Sequence, residues 1–129
     1  MDDVSLRDLH MYRGQVLSAI RGKRGQDFLR ELAVAMDGMP QKSLIRGELI
    51  DSRGQCCTIG VVCKSRGVDV RNIDVEEPEQ VAQAVGIARQ MAAEIEYEND
   101  EGSRAVTEET GEQRWRRMRQ WVSLHLSGE

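Results

Sequence analysis

The segment from Asn72 to Asp100 reads NIDVEEPEQVAQAVGIARQMAAEIEYEND and carries the clearest helical pattern in the chain. Its apolar residues recur at three- and four-residue spacing, which places them on one face of a helix. They are Val81, Val85, Ala88, Met91, Ala92 and Ile95. Pro78 suits the first turn of a helix, and the acids before it complement the positive end of the helix dipole. The pattern predicts a single helix over residues 79–97 whose apolar face lies in the core.

Helical patterns also occupy both ends of the chain. Apolar residues lie on one helical face up to Ile20, the sequence RGKRGQ at residues 21–26 interrupts them, and the spacing resumes as far as Met36. The two glycines in the interruption each lower helix propensity by about 1 kcal/mol, so we expect a break or a weakened helix there. Near the other end, Thr110 and Gln113 match a capping box at the start of a final helix.

The sequence between these helices predicts a short hairpin. KSLIRGELIDSRGQC, residues 42–56, alternates loosely and contains an Asp-Ser-Arg-Gly turn. We therefore expect residues 43–50 to pair with residues 55–58. The following CTIGVVCKSRGVDV, residues 57–70, is compatible with a longer strand or with a short helix that ends at Gly67.

These patterns indicate a mainly α fold with one short β-hairpin (α+β), in a compact single domain, residues 1–129, of about four or five helices. A polar link near residues 99–110 precedes the last helix. No apolar run approaches the roughly 20 residues that span a bilayer, and the N-terminus lacks a signal pattern, so we expect a cytosolic protein. The predicted core consists of Leu29, Leu32, Met36, Val62, Val85, Ala88, Met91 and Val122.

Charge is divided among three blocks of the chain. Residues 1–67 carry 11 Lys and Arg and 8 Asp and Glu, residues 68–112 carry 3 and 13, and residues 113–129 carry 4 and 1. Opposite blocks of a small domain commonly pack near one another and neutralise each other. The alternative is a surface with oppositely charged faces for different partners.

All three cysteines lie within residues 51–67, and Cys56 and Cys57 are adjacent. A thiol at the start of a helix would have a lowered pKa and would act as a nucleophile if a base were near. Of the two histidines, His125 lies on the apolar side of the last helix, which is usual for a structural histidine. The cysteines also lack the spacing of zinc ligands. We therefore predict that Cys57 and Cys63 are reduced, metal-free and buried in the core.

Three motifs together resemble a group of uncharacterised phage and prophage proteins. They are AIRGKRGQDFLREL at residues 19–32, GELIDSRGQCCTIG at residues 47–60, and EIEYENDE with EQRWRRMRQWV at residues 94–101 and 112–122. The group shares the Arg-Gly-Lys-Arg-Gly-Gln start, a Cys-x-x-Gly segment after a hairpin, and a final helix rich in Trp and Arg. In that group the Cys-x-x-Gly segment opens a helix, which favours a helix after Cys57. The resemblance implies a phage protein but names no activity.

The resemblance and the charge pattern lead to a functional hypothesis. We expect a phage-encoded, non-enzymatic binding protein in the host cytoplasm that inhibits a host defence complex. Its partner would be a host or phage macromolecule, a protein rather than a nucleic acid, with no membrane, cofactor or metal. The predicted partner-binding residues are Arg21, Lys23, Arg24, Arg116, Arg117, Trp115 and Trp121. The alternative surface is acidic and consists of Glu94, Glu96, Glu98, Asp100 and Glu101.

A second hypothesis is a small thiol enzyme or a nucleotide-binding protein that uses the Cys57 region and residues 21–26. Glycines beside cations at a helix start are typical of anion sites, but a solvated basic bend has the same composition. RGKRGQ lacks the Gly-Lys-Ser/Thr ending of a phosphate-binding loop and follows no predicted strand. The first hypothesis is therefore preferred, and a homo-oligomer is left open.

Overall fold

The computed structural model describes residues 5–103 and 108–127, and most of this range is helical. Six helices occur there: α1 (Leu6–Arg21), α2 (Lys23–Asp37), α3 (Thr58–Arg66), α4 (Pro78–Val85), α5 (Arg89–Glu101) and α6 (Gly111–His125). They contain 64% of the described residues, among which no sheet forms. The predicted mainly α class is confirmed, with more helices than expected.

The break between α1 and α2 falls at Gly22, inside the interruption that the sequence predicts. Gly22 has extended backbone angles (φ −67°, ψ 167°), so it ends α1 and precedes α2. Gly25 then lies in the first turn of α2, against the end of α1. A methyl group at Gly25 would collide with the carbonyl oxygen of Ala19 and would lie 2.8 Å from that of Ile20. The absence of a side chain therefore lets the two helix backbones meet in direct contact.

The helix predicted over residues 79–97 is two helices, α4 and α5, so that prediction is wrong. Gly86 adopts a left-handed conformation (φ +79°), and its N–H donates to the carbonyl oxygen of Ala82. A left-handed glycine is a common helix stop. Ile87 is buried at the corner, and Ala88 is the extended N-cap residue of α5. Ala88 is therefore half-buried rather than a core residue, whereas the rest of the predicted stripe is buried.

The predicted hairpin is also wrong, because residues 43–58 contain a single antiparallel bridge, between Ile50 and Cys56. Gly47 has a positive φ of 87°, so the backbone departs there from the extended conformation of a strand. The N–H of Leu44 donates to the carbonyl oxygen of Gly111, at the start of α6. Within the segment, the N–H groups of Ile45, Asp51 and Cys57 donate to the carbonyl oxygens of Cys56, Gln55 and Leu49, but these bonds do not build a regular ladder.

The helix after Cys57 is confirmed, and local interactions define both of its ends. Cys57 is the N-cap residue of α3, and Gly67 follows the helix in a left-handed conformation (φ +74°). The capping box of α6 is confirmed as well. Thr110 Oγ1 accepts from the N–H of Gln113 at 3.1 Å, and the Gln113 side chain accepts from the N–H of Thr110 at 2.9 Å. Interactions of this kind involve residues a few positions apart, so sequence patterns predict them well.

One core receives buried side chains from all six helices. The predicted core residues other than Ala88 are all buried: Leu29, Leu32, Met36, Val62, Val85, Met91 and Val122. The loop before α3, residues 43–57, contributes Leu44 and Leu49 to the core. This loop lies directly on α3, since a methyl group at Gly60 would collide with the carbonyl oxygen of Leu49. None of the helices in the described part of the chain is long and apolar enough to cross a membrane.

The polar link predicted near residues 99–110 starts later than expected, because α5 extends to Glu101. Asn99, in the last turns of α5, is only 2% exposed. Its Oδ1 accepts from the N–H of Thr58 at 3.1 Å and from the Thr58 hydroxyl at 2.7 Å. Asn99 therefore joins α5 to the start of α3. Residues 104–107, which the prediction included, lie outside the described residues.

Candidate functional site

The basic bend, which we define as Arg21, Lys23 and Arg24, is exposed to solvent. Lys23 Nζ lies 2.8 Å from Asp27 Oδ2, and Arg30 shares the same carboxylate at 2.9 Å. These two cations lower the pKa of Asp27, Lys23 more than Arg30. Arg21 and Arg24 form no ion pair within residues 5–103 and 108–127. The bend region therefore carries an excess of positive charge that the described structure does not neutralise.

Gln26, at the end of the RGKRGQ motif, attaches the bend to the end of α6. Its side-chain amide donates to the carbonyl oxygens of Ile20 at 2.8 Å and of His125 at 3.0 Å. Its side-chain oxygen accepts from the N–H of Ser127 at 2.9 Å and from the Ser127 hydroxyl at 3.1 Å. Gln26 is 5% exposed, so these bonds satisfy a buried amide. Sequence reasoning missed this role because three of the four hydrogen bonds of Gln26 are to partners about a hundred positions away.

Arg117, which the sequence predicts as a partner-binding residue, is instead bound within the protein. Its guanidinium donates to Glu109 at 2.7 and 2.9 Å, to the carbonyl oxygen of Glu98 at 2.7 Å and to that of Asn99 at 3.2 Å. The last carbonyl groups of a helix have no partners inside the helix and carry partial negative charge. Arg117 therefore caps the C-terminal end of α5.

Arg114 completes this network and is almost fully buried, with 6% of its surface exposed. Its Nη1 donates to the carbonyl oxygen of Leu44 at 2.9 Å, and its Nε lies 3.3 Å from Glu109 Oε1. We call Arg114, Arg117 and Glu109 the arginine–glutamate network. Hydrogen bonding from Arg117, with the charges of both arginines, lowers the pKa of Glu109. The network explains two of the four arginines in the Trp- and Arg-rich motif as structural residues.

The remaining predicted residues of α6 lie in two separate places. The Trp121 and His125 rings are tilted against each other with centroids 4.2 Å apart, and Gln26 donates to the His125 carbonyl oxygen, so Trp121 is connected to the bend through His125. Lys42 Nζ lies over the ring of Trp115, 5.6 Å from the ring centroid, near the start of α6. Arg116 is exposed and forms no ion pair in the described range. The basic bend with Trp121 is therefore the more concentrated candidate.

The predicted acidic surface is divided between two sides of α5. Glu94 and Glu98 are four residues apart and share one face, and Glu101 lies near that face. Burial raises the pKa of Glu94, with a smaller contribution from Glu98, while Arg13 and His125 oppose the rise. No group of three His, Cys, Asp or Glu side chains in the described part of the chain is arranged to hold a metal ion.

Glu96 and Asp100 share the other face of α5, beside Cys57. Burial, followed by repulsion from Asp100, raises the pKa of Glu96 to about 7. Glu96, Asp100 and Cys57 line a cavity of about 10 Å³, which is the room that one water molecule needs. The five predicted acidic residues therefore do not form one surface, and this pair faces an enclosed space too small for a substrate.

Cys57 is buried, as predicted, with 4% of its surface exposed, and Cys63 is fully buried. The sulfur of Cys57 accepts from the N–H of Gly60 at 3.4 Å. Burial nevertheless raises the pKa of Cys57 to about 12, because desolvation of the thiolate outweighs the hydrogen bonds at the helix start. No hydrogen bond in the described residues joins the thiol to His125, whose Nδ1 lies 2.8 Å from the carbonyl oxygen of Trp121. The arrangement lacks an activated nucleophile.

No protein-family model, curated protein or solved structure matches this chain. The similarity to small phage proteins stays a prediction that rests on its three motifs. The structure gives those motifs packing roles, through Gly25 and Gln26, through Gly60, and through the arginine–glutamate network. Indications of function therefore lie in the surface that these residues support.

Proposed function

We propose that this chain is a phage-encoded, non-enzymatic binding protein that engages a negatively charged surface of a host protein. Specifically, we propose that this binding inhibits a host defence complex. The contact surface is the basic bend, with Trp121 as the adjoining aromatic residue. The observation that carries the proposal is the exposed positive charge of Arg21 and Arg24, which form no ion pair with the described residues, in a chain whose net charge is −4.

The way the bend is held supports a binding role. Gly25 brings α2 against the end of α1, and the four hydrogen bonds of Gln26 attach both helices to the end of α6. The backbone that carries the cations is therefore preorganised. A preorganised surface loses less conformational entropy on binding than a flexible one, which favours affinity. Arginine and tryptophan are also enriched among the residues that dominate interface energies.

The thiol-enzyme hypothesis finds less support. Catalysis by Cys57 would need an accessible thiolate, and burial with a pKa of about 12 works against both requirements. The adjoining cavity of about 10 Å³ does not admit a substrate. The nucleotide-binding hypothesis also finds less support, because Gly25 is used for the contact between α1 and α2 rather than for binding a phosphate group.

The test is capture of the partner by the tagged full chain from lysate of the host cell, with identification by mass spectrometry. The variant Arg21→Glu/Lys23→Glu/Arg24→Glu should lose the captured protein. A matched control, Arg7→Glu/Arg71→Glu/Arg89→Glu, makes the same change in net charge at exposed positions away from the bend and should retain it. Circular dichroism of both variants should match that of the wild-type chain.

Two further measurements decide the class of partner. Binding of the captured protein should weaken as salt is raised, because exposed charge pairs are screened within about 10 Å at 0.1 M ionic strength. Capture should survive nuclease treatment of the lysate. Retention of the partner by the bend variant, or loss of capture after nuclease treatment, would overturn the proposal.

A further inference from the structure

A second surface lies at the opposite end of α2 from the basic bend. It is a groove with a volume of about 620 Å³, between the end of α2, residues 38–43, residues 53–56 and α3. A volume of roughly 300–1,000 Å³ is usual for a ligand-binding cleft. Arg24 and Val34 are ten positions apart on α2, so the groove and the bend are separated by about 15 Å along the helix axis.

The groove has an apolar lining that the fold leaves open. Val34 stands at its edge with 74% of its surface exposed, although a valine gains free energy when it is buried. Met39 and Pro40 continue the apolar edge, and Val61 lines the groove from α3. Within the part of the chain that the structure describes, no aromatic residue lines the groove.

The charged residues that line the groove are both cations. They are Arg53 and Lys64, and no carboxylate of the described residues lines it. Lys64 Nζ donates to the carbonyl oxygen of Gly54 at 2.8 Å, which holds its charge at the rim. Neither cation forms an ion pair with a carboxylate of the described chain. The groove therefore combines an apolar edge with neutral polar residues and two cations, in a chain with an excess of acidic residues. The neutral polar lining residues are Gln41, Ser43, Gln55 and Ser65.

We propose that this groove binds a short acidic peptide segment of a partner protein. An apolar side chain of the peptide packs against Val34 and Met39, and flanking carboxylates bind Arg53 and Lys64 through charge-assisted hydrogen bonds. A small anion would satisfy the two cations but would leave Val34 in water. A nucleic acid would require more phosphate contacts than two cations offer, and stacking on an aromatic residue that the groove lacks.

Selection from a display library of random short peptides tests this proposal on the tagged full chain. The enriched peptides should combine net negative charge with at least one large apolar residue. The best of them is then synthesised with a fluorescent label, and its Kd is measured by anisotropy against wild-type protein and variants. Failure to enrich any peptide, or enrichment of neutral or basic peptides, would overturn the proposal.

The variants separate the two halves of the groove. Arg53→Glu should raise the Kd roughly tenfold, because it replaces attraction by repulsion at the rim. Val34→Asn should raise it by about fivefold through loss of apolar contact, and it should not unfold the chain because Val34 is exposed. The matched control Arg7→Glu reverses an exposed arginine on α1 and should leave the Kd unchanged. Equal affinity of Arg53→Glu and wild type would also overturn the proposal.

Two controls distinguish peptide binding in the groove from partner binding at the bend and from self-association of the chain. The bend variant Arg21→Glu/Lys23→Glu/Arg24→Glu should keep wild-type peptide affinity, so failure of the proposed function at the bend and failure of the groove are separate results. Light scattering should show that the wild-type chain and Val34→Asn have the same molar mass in solution. A larger wild-type mass that falls in Val34→Asn would show that a second copy covers the groove, and the peptide proposal would then be wrong.

Discussion

The basic bend and the arginine–glutamate network have similar sequences, since each has several cations within a few residues, but they lie in different electrostatic surroundings. Arg114 and Arg117 both lie close to the Glu109 carboxylate, whose side chain is 8% exposed. Arg117 also donates to the carbonyl groups at the end of α5, and Arg114 donates to that of Leu44. Arg21 and Arg24 project from a junction between helices where Asp27 is already shared by two other cations. The first pair is bound inside the protein and the second is exposed to solvent.

The comparison shows that a count of cations does not identify a binding surface. A guanidinium is used internally where an unsatisfied helix end and a carboxylate lie within its reach. Where neither is near, the charge stays available to a partner. Mutations in the two regions should therefore affect different properties, stability in one and binding in the other.

The largest expected effect is on the network. Glu109→Ala removes the common partner of Arg114 and Arg117 and leaves buried positive charge uncompensated, so we expect the free energy of unfolding to fall by about 3 kcal/mol. Urea denaturation followed by circular dichroism measures this change. Glu108→Ala, at the exposed neighbouring position, should change it by less than about 0.5 kcal/mol. A loss of similar size in both variants would contradict the structural role of the network.

The next effect concerns the helix contact that supports the bend. Gly25→Ala forces α1 and α2 apart, because its methyl group collides with the carbonyl oxygen of Ala19, and it should lower the free energy of unfolding by about 2 kcal/mol. Gly14→Ala is the matched control on α1, since no atom lies within 4 Å of its added carbon. It should raise stability by about 0.5–1 kcal/mol through its better helix propensity. The same denaturation series measures both, and a stabilising Gly25→Ala would show that the helices are not in tight contact.

A smaller effect is expected at Glu96, on the face of α5 that lies beside Cys57. Its pKa rises from 4.5 to about 7, so between these pH values the native state holds a proton that the unfolded state has lost. Stability should therefore fall as pH rises from 4.5 to 7 and stay level above. Because the side chain is partly exposed, solvent screening limits this contribution to about 1 kcal/mol.

Glu96→Gln tests this dependence. The variant should be more stable than wild type by about 1 kcal/mol at pH 8 and should lose the difference towards pH 4.5. Denaturation at a series of pH values gives the two curves. Glu101→Gln, at an exposed position on the same helix, should follow the wild-type curve. Parallel curves for Glu96→Gln and wild type would exclude a raised pKa for Glu96.

The smallest effect on stability is expected at the bend itself. Arg21→Glu/Lys23→Glu/Arg24→Glu changes exposed side chains, and the one ion pair that they form with the described residues, between Lys23 and Asp27, is exposed to solvent. The free energy of unfolding should change by no more than about 1 kcal/mol, although partner binding is lost. Thermal denaturation of this variant beside Glu109→Ala compares the two regions directly. A loss as large as that of Glu109→Ala would show that the cations of the bend have internal partners.

Sequence patterns predicted the features of this protein that depend on residues close together in the chain. The capping box at Thr110, the end of α3 at Gly67 and the interruption at residues 21–26, for which a break was one of two expectations, each arise from hydrogen bonds or backbone preferences within a few positions. Burial of Cys57 and Cys63 also followed from the apolar run around them. Spacing alone could not separate α4 from α5, because Gly86 turns the chain while apolar residues continue on both sides.

Only the tertiary structure decided which polar residues are internal and which face solvent. Gln26 bonds to a carbonyl 99 positions away, and Arg114 bonds to one 70 positions away. Nothing in the neighbouring residues indicates such partners, since they meet only when α6 packs on α2 and on the loop before α3. The physical reason is that a buried polar group must find a hydrogen-bond partner wherever the fold brings one within reach, whereas an identical group at the surface is satisfied by water.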